Sequence, residues 1–124
     1  MYLQFKQDLD NIELFKTHKQ FITKVAISLS NPLSTDVNKL TNQLIEAESF
    51  QTKVVHIYST AKALKDKAYK DAWLKKGTIK HGEAGRMQAE VDDEIKEYTY
   101  LTSYFENIIN IIKDRINLGK KLLG

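Results

Sequence analysis

The sequence predicts an all-α protein: an elongated bundle of three main helices, with a coiled-coil-like C-terminal helix that assembles into an oligomer. Three observations carry this. One Pro and five Gly in 124 residues leave long segments without a helix breaker. Apolar residues recur at three- and four-residue spacing in each segment, the period of a one-sided helix. In the last segment that rhythm becomes an unbroken coiled-coil seam.

A chain of this length fits one domain and can bury a core without staples. It has no Cys, which excludes disulfides and thiolate metal sites. The N-terminal residues lack a basic stretch followed by an apolar one, and no apolar run approaches the roughly 18 residues of a membrane span. The expectation is a cytoplasmic protein with no membrane partner.

The first helix is predicted over about 3–28, where Leu9, Ile12, Phe15, Ile22, Val25 and Leu29 keep near-helical spacing. Pro32 stops it, because the residue before a proline disfavours the α region. The long helix, about 35–76, opens with Ser34, Thr35 or Asp36 as N-cap. Val37, Leu40, Leu44 and Ala47 begin its apolar stripe, which Phe50, Val54, Ile57, Ala61, Leu64, Ala68 and Ala72 continue. Ser49 is a candidate break. Gly77 follows Lys75 and Lys76 as a C-terminal stop. A glycine-rich loop is predicted over 77–88.

The last helix is predicted over about 89–123. Glu90, Asp92, Asp93 and Glu94 crowd its start, where the helix dipole favours anions. Val91, Ile95, Tyr98, Thr102, Phe105, Ile109, Ile112 and Ile116 alternate spacings of four and three. Leu101, Tyr104, Ile108, Ile111 and Leu118 lie beside this seam and widen it. A helix this apolar is either a central strut of a three-helix monomer or shared between copies. The second reading assigns Ile95, Tyr98, Leu101, Phe105, Ile108, Ile109, Ile112 and Ile116 to oligomerisation, a ring being one form.

Charge is unevenly spread. Residues 1–49 carry five Lys against six acids, a net of −1; residues 50–89 carry eight Lys and one Arg against three acids, a net of +6; residues 90–124 carry five basic and seven acidic residues, a net of −2. The central block reads as a footprint for a polyanion or an acidic partner. At 100° per residue, Lys62, Lys65, Tyr69, Trp73 and Lys76 fall within about an 80° arc, roughly 90° from the alanine face. Lys67, Lys70, Lys75, Lys80 and Arg86 add charge around it. Cations interleaved with flat rings suit single-stranded nucleic acid: ammonium groups track phosphates and rings stack on bases. Alternatively the rings pack on a neighbouring helix and the lysines form a solvated face.

Enzyme motifs are missing. His18, His56 and His81 form no ligand pair with a carboxylate. The loop from Gly77 to Arg86 lacks the ending of a phosphate-binding loop. Glu90, Asp93, Glu94 and Glu97 share a face, more simply a wet helix start than a cation site. The expectation is a protein without catalysis, metal or cofactor.

Two stretches resemble a known family. One runs from Ala89 to Lys96, then from Leu101 to Arg115; the other is Lys62 to Gly77, with Tyr69, Trp73 and Gly77. Together they resemble the basic helix and C-terminal helix of the UvsY recombination mediators of tailed bacteriophages. The resemblance spans residues 60–116. It implies a ring-forming, non-enzymatic protein of DNA recombination that binds single-stranded DNA in the host cytoplasm. It also implies partnership with a recombinase, loaded onto strands coated by a single-strand-binding protein. Lys62, Lys65 and Lys67 would contact DNA, and the apolar residues of 98–116 would hold the assembly. The competing classes are a phage-encoded adaptor or inhibitor using the basic helix on an acidic partner, and a structural virion or tail-assembly protein.

Overall fold

The structure, a computed structural model, describes residues 12–78 and 80–124. Among these residues there are five helices and no strand: α1 Glu13–Thr17, α2 Lys19–Ser30, α3 Val37–Lys76, α4 Ala84–Glu94 and α5 Lys96–Leu123. The part of the predicted first helix over 3–11 lies outside the described residues.

The first run bends at His18, whose backbone leaves the helical region at φ −105° and ψ 10°. Phe15, Ile22 and Val25 face inward on either side of that bend. Asn31 is extended, at φ −77° and ψ 135°, as the following Pro32 requires. The turn is fixed by side chains. Gln43 Oε1 accepts from the Ser34 amide at 2.8 Å, and its Nε2 donates to the Pro32 carbonyl at 3.1 Å.

Asp36 is the N-cap of α3, accepting the Lys39 amide at 3.0 Å. The helix runs 40 residues through Ser49 without a break, about 60 Å. Four hydroxyls inside it, those of Thr41, Thr52, Ser59 and Thr60, donate to the carbonyl four residues back. Each shares a ladder carbonyl, which has a second lone pair to offer, and so is satisfied without leaving the helix. Gly77 ends α3 at φ +68°, a conformation that side chains disfavour.

The loop prediction of 77–88 is too long. α4 begins at Ala84, so Gly82 (φ +85°) turns the chain while Gly85 sits inside the helix in an ordinary conformation. Glycine marks a turn only where a positive φ is needed, and Gly85 does not need one. The predicted single helix over 89–123 is likewise two. Ile95 breaks it at φ −100° and ψ 8°, its amide still bonded to the Val91 carbonyl at 3.1 Å. The break coincides with a change of partner. Val91 and Ile95 pack with Ala68, Ala72 and Trp73, whereas Leu101 to Ile116 join the main core with α1, α2 and the first half of α3.

α3 runs antiparallel to α4 and α5. Lys76 faces Glu90 at one end, and Leu44 faces Gly119 at the other. At Gly119 the helices touch so closely that an added Cβ would meet Leu44, whose Cγ lies 3.0 Å away.

The assignment of the seam to oligomerisation needs correction. Ile95, Leu101, Phe105, Ile109, Ile112 and Ile116 are buried within the chain, none more than 8% exposed, and Tyr98 and Ile108 are half-buried. Thr102, also in the seam, is buried with its hydroxyl on the carbonyls of Tyr98 and Thr99. The physical reason is length. One 40-residue partner helix in the same chain covers the whole seam, so no second copy is required to bury it. Four large apolar side chains of α5 remain outside: Ile111, Leu118, Leu122 and Leu123.

Candidate nucleic-acid interface

The basic residues sit on the second half of α3 and on the turn into α4. Ala61 and Ala72 are buried and Ala68 is half-buried, so the alanine face is the packing face, as its small side chains predict. The neighbouring edge, with Lys62, Lys65, Tyr69, Trp73 and Lys76, divides in two.

Its C-terminal end is covered by α4. Trp73 is half-buried against Val91 and Ile95. Tyr69 meets it edge-on, ring centroids 6.3 Å apart. Lys76 Nζ donates to Glu90 at 2.6 Å and Lys75 Nζ to Glu94 at 3.3 Å. Arg86 pairs with Glu83 at 3.3 Å. The hydrogen bond from Lys76, then its charge, holds the Glu90 carboxyl below its ordinary range despite a small opposing effect of burial; Arg86 adds to the lowering. Trp73 is therefore not an exposed stacking platform, and Lys75, Lys76 and Arg86 are not free cations. The acidic helix start that the dipole favours also neutralises the end of the basic helix. Over residues 59–97 nine basic residues face eight acids, a net of +1. The +6 footprint of residues 50–89 is thus largely cancelled in space.

The remaining part stays open. Lys62, Lys67, Lys70 and Lys80 are exposed and Lys65 is half-buried. Among the described residues none of these five has a carboxylate within 4 Å. Lys62, Lys67 and Lys70 spread over an arc of about 140° on the outer side of α3. Lys65 and Tyr69 line a shallow cleft with Asp92, Ile95, Lys96, Thr99 and Tyr100. Tyr69 is 39% exposed, its hydroxyl donating a long hydrogen bond of 3.4 Å to Gln88. The open surface thus has Lys65 beside the accessible ring of Tyr69, Lys62, Lys70 and Lys67 progressively further round the outer arc of α3, and Lys80 in the turn that follows.

Two features were not visible in the sequence. The first joins α2 to α3. Burial lowers the pKa of His18, and the charges of Lys53 and His56 add to the effect. Lys53 Nζ also lies 4.2 Å from the Phe21 ring centroid. Nearly forty positions separate His18 from His56, so only the fold relates them. Among the described residues no group of three His, Asp or Glu side chains is placed to hold a metal ion. The second is a groove of about 730 Å³ between α2 and α5, lined by Val25, Ala26, Leu29, Tyr104, Ile108 and Ile111 among others. Tyr100 lines both this groove and the Lys65–Tyr69 cleft, so the two adjoin.

Fold and surface together define a class: an all-helical protein with a basic outer helix face, and no described helix long and apolar enough to cross a membrane. Comparison with protein-family models, curated proteins and solved structures gave no match.

Proposed function

We propose that this chain is a non-enzymatic accessory protein that binds single-stranded DNA through the outer face of α3 and works as an oligomer. The observation that carries the reading is the set of five lysines, Lys62, Lys65, Lys67, Lys70 and Lys80, which among the described residues have no carboxylate within 4 Å, on and just beyond the same half of α3 as exposed Tyr69. Unpaired ammonium groups replace counterions along a phosphate backbone with little sequence preference. One accessible ring adds stacking of about 1–3 kcal/mol for one base. The role in loading a recombinase onto protein-coated strands follows from the resemblance of residues 60–116 to the phage mediators.

A second reading has its own support. Leu74 is 79% exposed and lies with Tyr69, Lys70, Trp73 and Gly77 around a shallow depression. An apolar side chain among lysines also suits an acidic, partly apolar protein segment, as an adaptor or inhibitor would bind. Anisotropy of a labelled oligonucleotide across a salt series separates the two. The DNA reading expects binding at low salt that weakens about 100-fold between about 50 and 200 mM, from five neutralised phosphates at a slope near −0.7 each. No binding at low salt refutes it and leaves the adaptor.

A further inference from the structure

With its coiled-coil seam buried inside the chain, α5 still carries a second apolar edge. Tyr104, Ile108, Ile111, Arg115, Leu118 and Leu122 follow one another at spacings of 4, 3, 4, 3 and 4. Ile111, Leu118 and Leu122 are 52%, 53% and 58% exposed. The edge borders two connected grooves, one against α2 and one against the turn at Pro32 and Leu33. Tyr104, Ile108 and Arg115 are half-buried beside them, and exposed apolar residues aligned on one edge mark an interaction surface, whereas scattered ones do not.

We propose that this edge pairs with the same edge of a second copy, the two α5 helices antiparallel about a two-fold axis at Lys113. The order of residues fits that axis. Reversing one helix about position 113 sets Ile108 against Leu118 of the other copy, Tyr104 against Leu122, and Ile111 against the aliphatic stem of Arg115. The Arg115 guanidinium is held aside, donating to the Asn31 carbonyl at 2.7 Å. Tyr104 already packs on Phe15 and Phe105, with ring centroids 5.5 Å away in each case. The central four contacts therefore come from Ile108, Ile111, Arg115 and Leu118.

The rim also fits a copy of itself. Asn107 and Asn110 line the groove. An amide is both donor and acceptor, so a rim of amides complements its own copy, whereas a rim of one charge repels it. Among the described residues that line the groove Asp114 is the one acid, with the cationic Arg115 next to it in sequence. An isologous contact of this sort closes at two subunits. The edge of about 18 residues is roughly 27 Å long. A helix laid along it buries about 1,000 Å² in total, near the floor for a specific interface. An interface this small is expected to be reversible, and its concentration dependence is what the test reads.

The inference deepens the oligomer in the proposed function, but it rests on the α5 edge alone and is independent of DNA. Sedimentation of the full chain from about 1 to 100 µM tests it. A shift from monomer to dimer mass is expected. Leu118→Asp, an exposed position, abolishes the shift with unchanged helix content, while Leu74→Asp, equally apolar and more exposed but at the far end of α3, leaves it intact. The cysteine-free chain permits an orientation test. In an oxidised equal mixture of Ile108→Cys and Leu118→Cys chains, the mixed disulfide should exceed either homodimer at least about fivefold, because like positions lie about 15 Å apart along the axis. Monomer mass at 100 µM overturns the surface. A dimer that crosslinks mainly 118 to 118 overturns the antiparallel register.

Discussion

Removing two lysines from the open face should cost DNA affinity in a way that removing two from the covered end does not. Among the described residues Lys67 and Lys70 have no carboxylate within 4 Å, whereas Lys75 and Lys76 are held by Glu94 and Glu90. Each free cation that neutralises a phosphate contributes about 0.7 to the slope of log affinity against log salt. Five give a slope near −3.5, and the double variant Lys67→Ala with Lys70→Ala should give about −2.1. If the electrostatic contribution vanishes near about 1 M salt, the double variant binds about 60-fold more weakly at 50 mM and about 10-fold more weakly at 200 mM. The variant Lys75→Ala with Lys76→Ala should lose less than about threefold and keep its slope, because those ammonium groups would first have to leave their carboxylates. Anisotropy titrations at four salt concentrations read both quantities. The reasoning fails if the two double variants lose slope equally, or if the first loses none.

Two further expectations concern stability. Gly85→Ala, where an added Cβ meets nothing within 4 Å, should stabilise by up to about 1 kcal/mol. Gly119→Ala gains the same helix propensity but drives a Cβ into Leu44, at a cost of about 1–3 kcal/mol; thermal midpoints of the two variants should differ by roughly 5–10 °C. A pH series should show two losses. His18 has a folded pKa below its ordinary 6.5, so the unfolded chain takes up the proton first and stability falls as pH drops through that value; His18→Gln should flatten this part. Glu90 has a folded pKa below its ordinary 4.5, so its tie to Lys76 is intact above 4.5 and is lost as pH falls through the lowered value. Trp73, the single tryptophan, packs beneath α4 and should report that second loss as a red shift in emission; an emission maximum that stays fixed to pH 3 would refute it.

Sequence chemistry located the ends of elements wherever one residue type suffices. Pro32 stopped α2, Asp36 capped α3 and Gly77 closed it, each by a local rule. The stripe from Leu40 to Ala61 was legible because its periodicity has only one meaning on a helix. What one helix read alone could not show was which of its faces another helix covers. A seam from Ile95 to Ile116 looks the same whether it faces another copy or a helix of its own chain, and here α3 covers it. On α3 alone the arc leaves Trp73 and Lys76 facing outward, but α4 approaches from that side. The pairs Lys76–Glu90 and Lys75–Glu94 span 14 and 19 positions. They depend on a helix that starts five residues earlier than expected, around a glycine that does not turn the chain. The bend at Ile95 had no sequence marker, since Val91 and Ile95 keep the seam rhythm through it.

Because the seam is used within the chain, folding and assembly become separable, and this has a consequence for DNA. Leu44 lies beside Gly119, and Lys65 and Tyr69 line a cleft with Thr99 and Tyr100. The lysine face is thus about 22 Å along α5 from position 113. An antiparallel pair about that position holds two lysine faces at opposite ends, roughly 45 Å apart. Each face alone is weak, with one accessible ring and a nearly neutral surround. A strand long enough to reach both binds the second face at high effective concentration. Affinity should therefore step up by at least about tenfold once the oligonucleotide spans roughly 45 Å, at protein concentrations where the dimer forms. Leu118→Asp should remove the step and leave the affinity for short oligonucleotides unchanged. Were the step to survive in that monomeric variant, the gain would come from one chain, and pairing through α5 would have no part in binding.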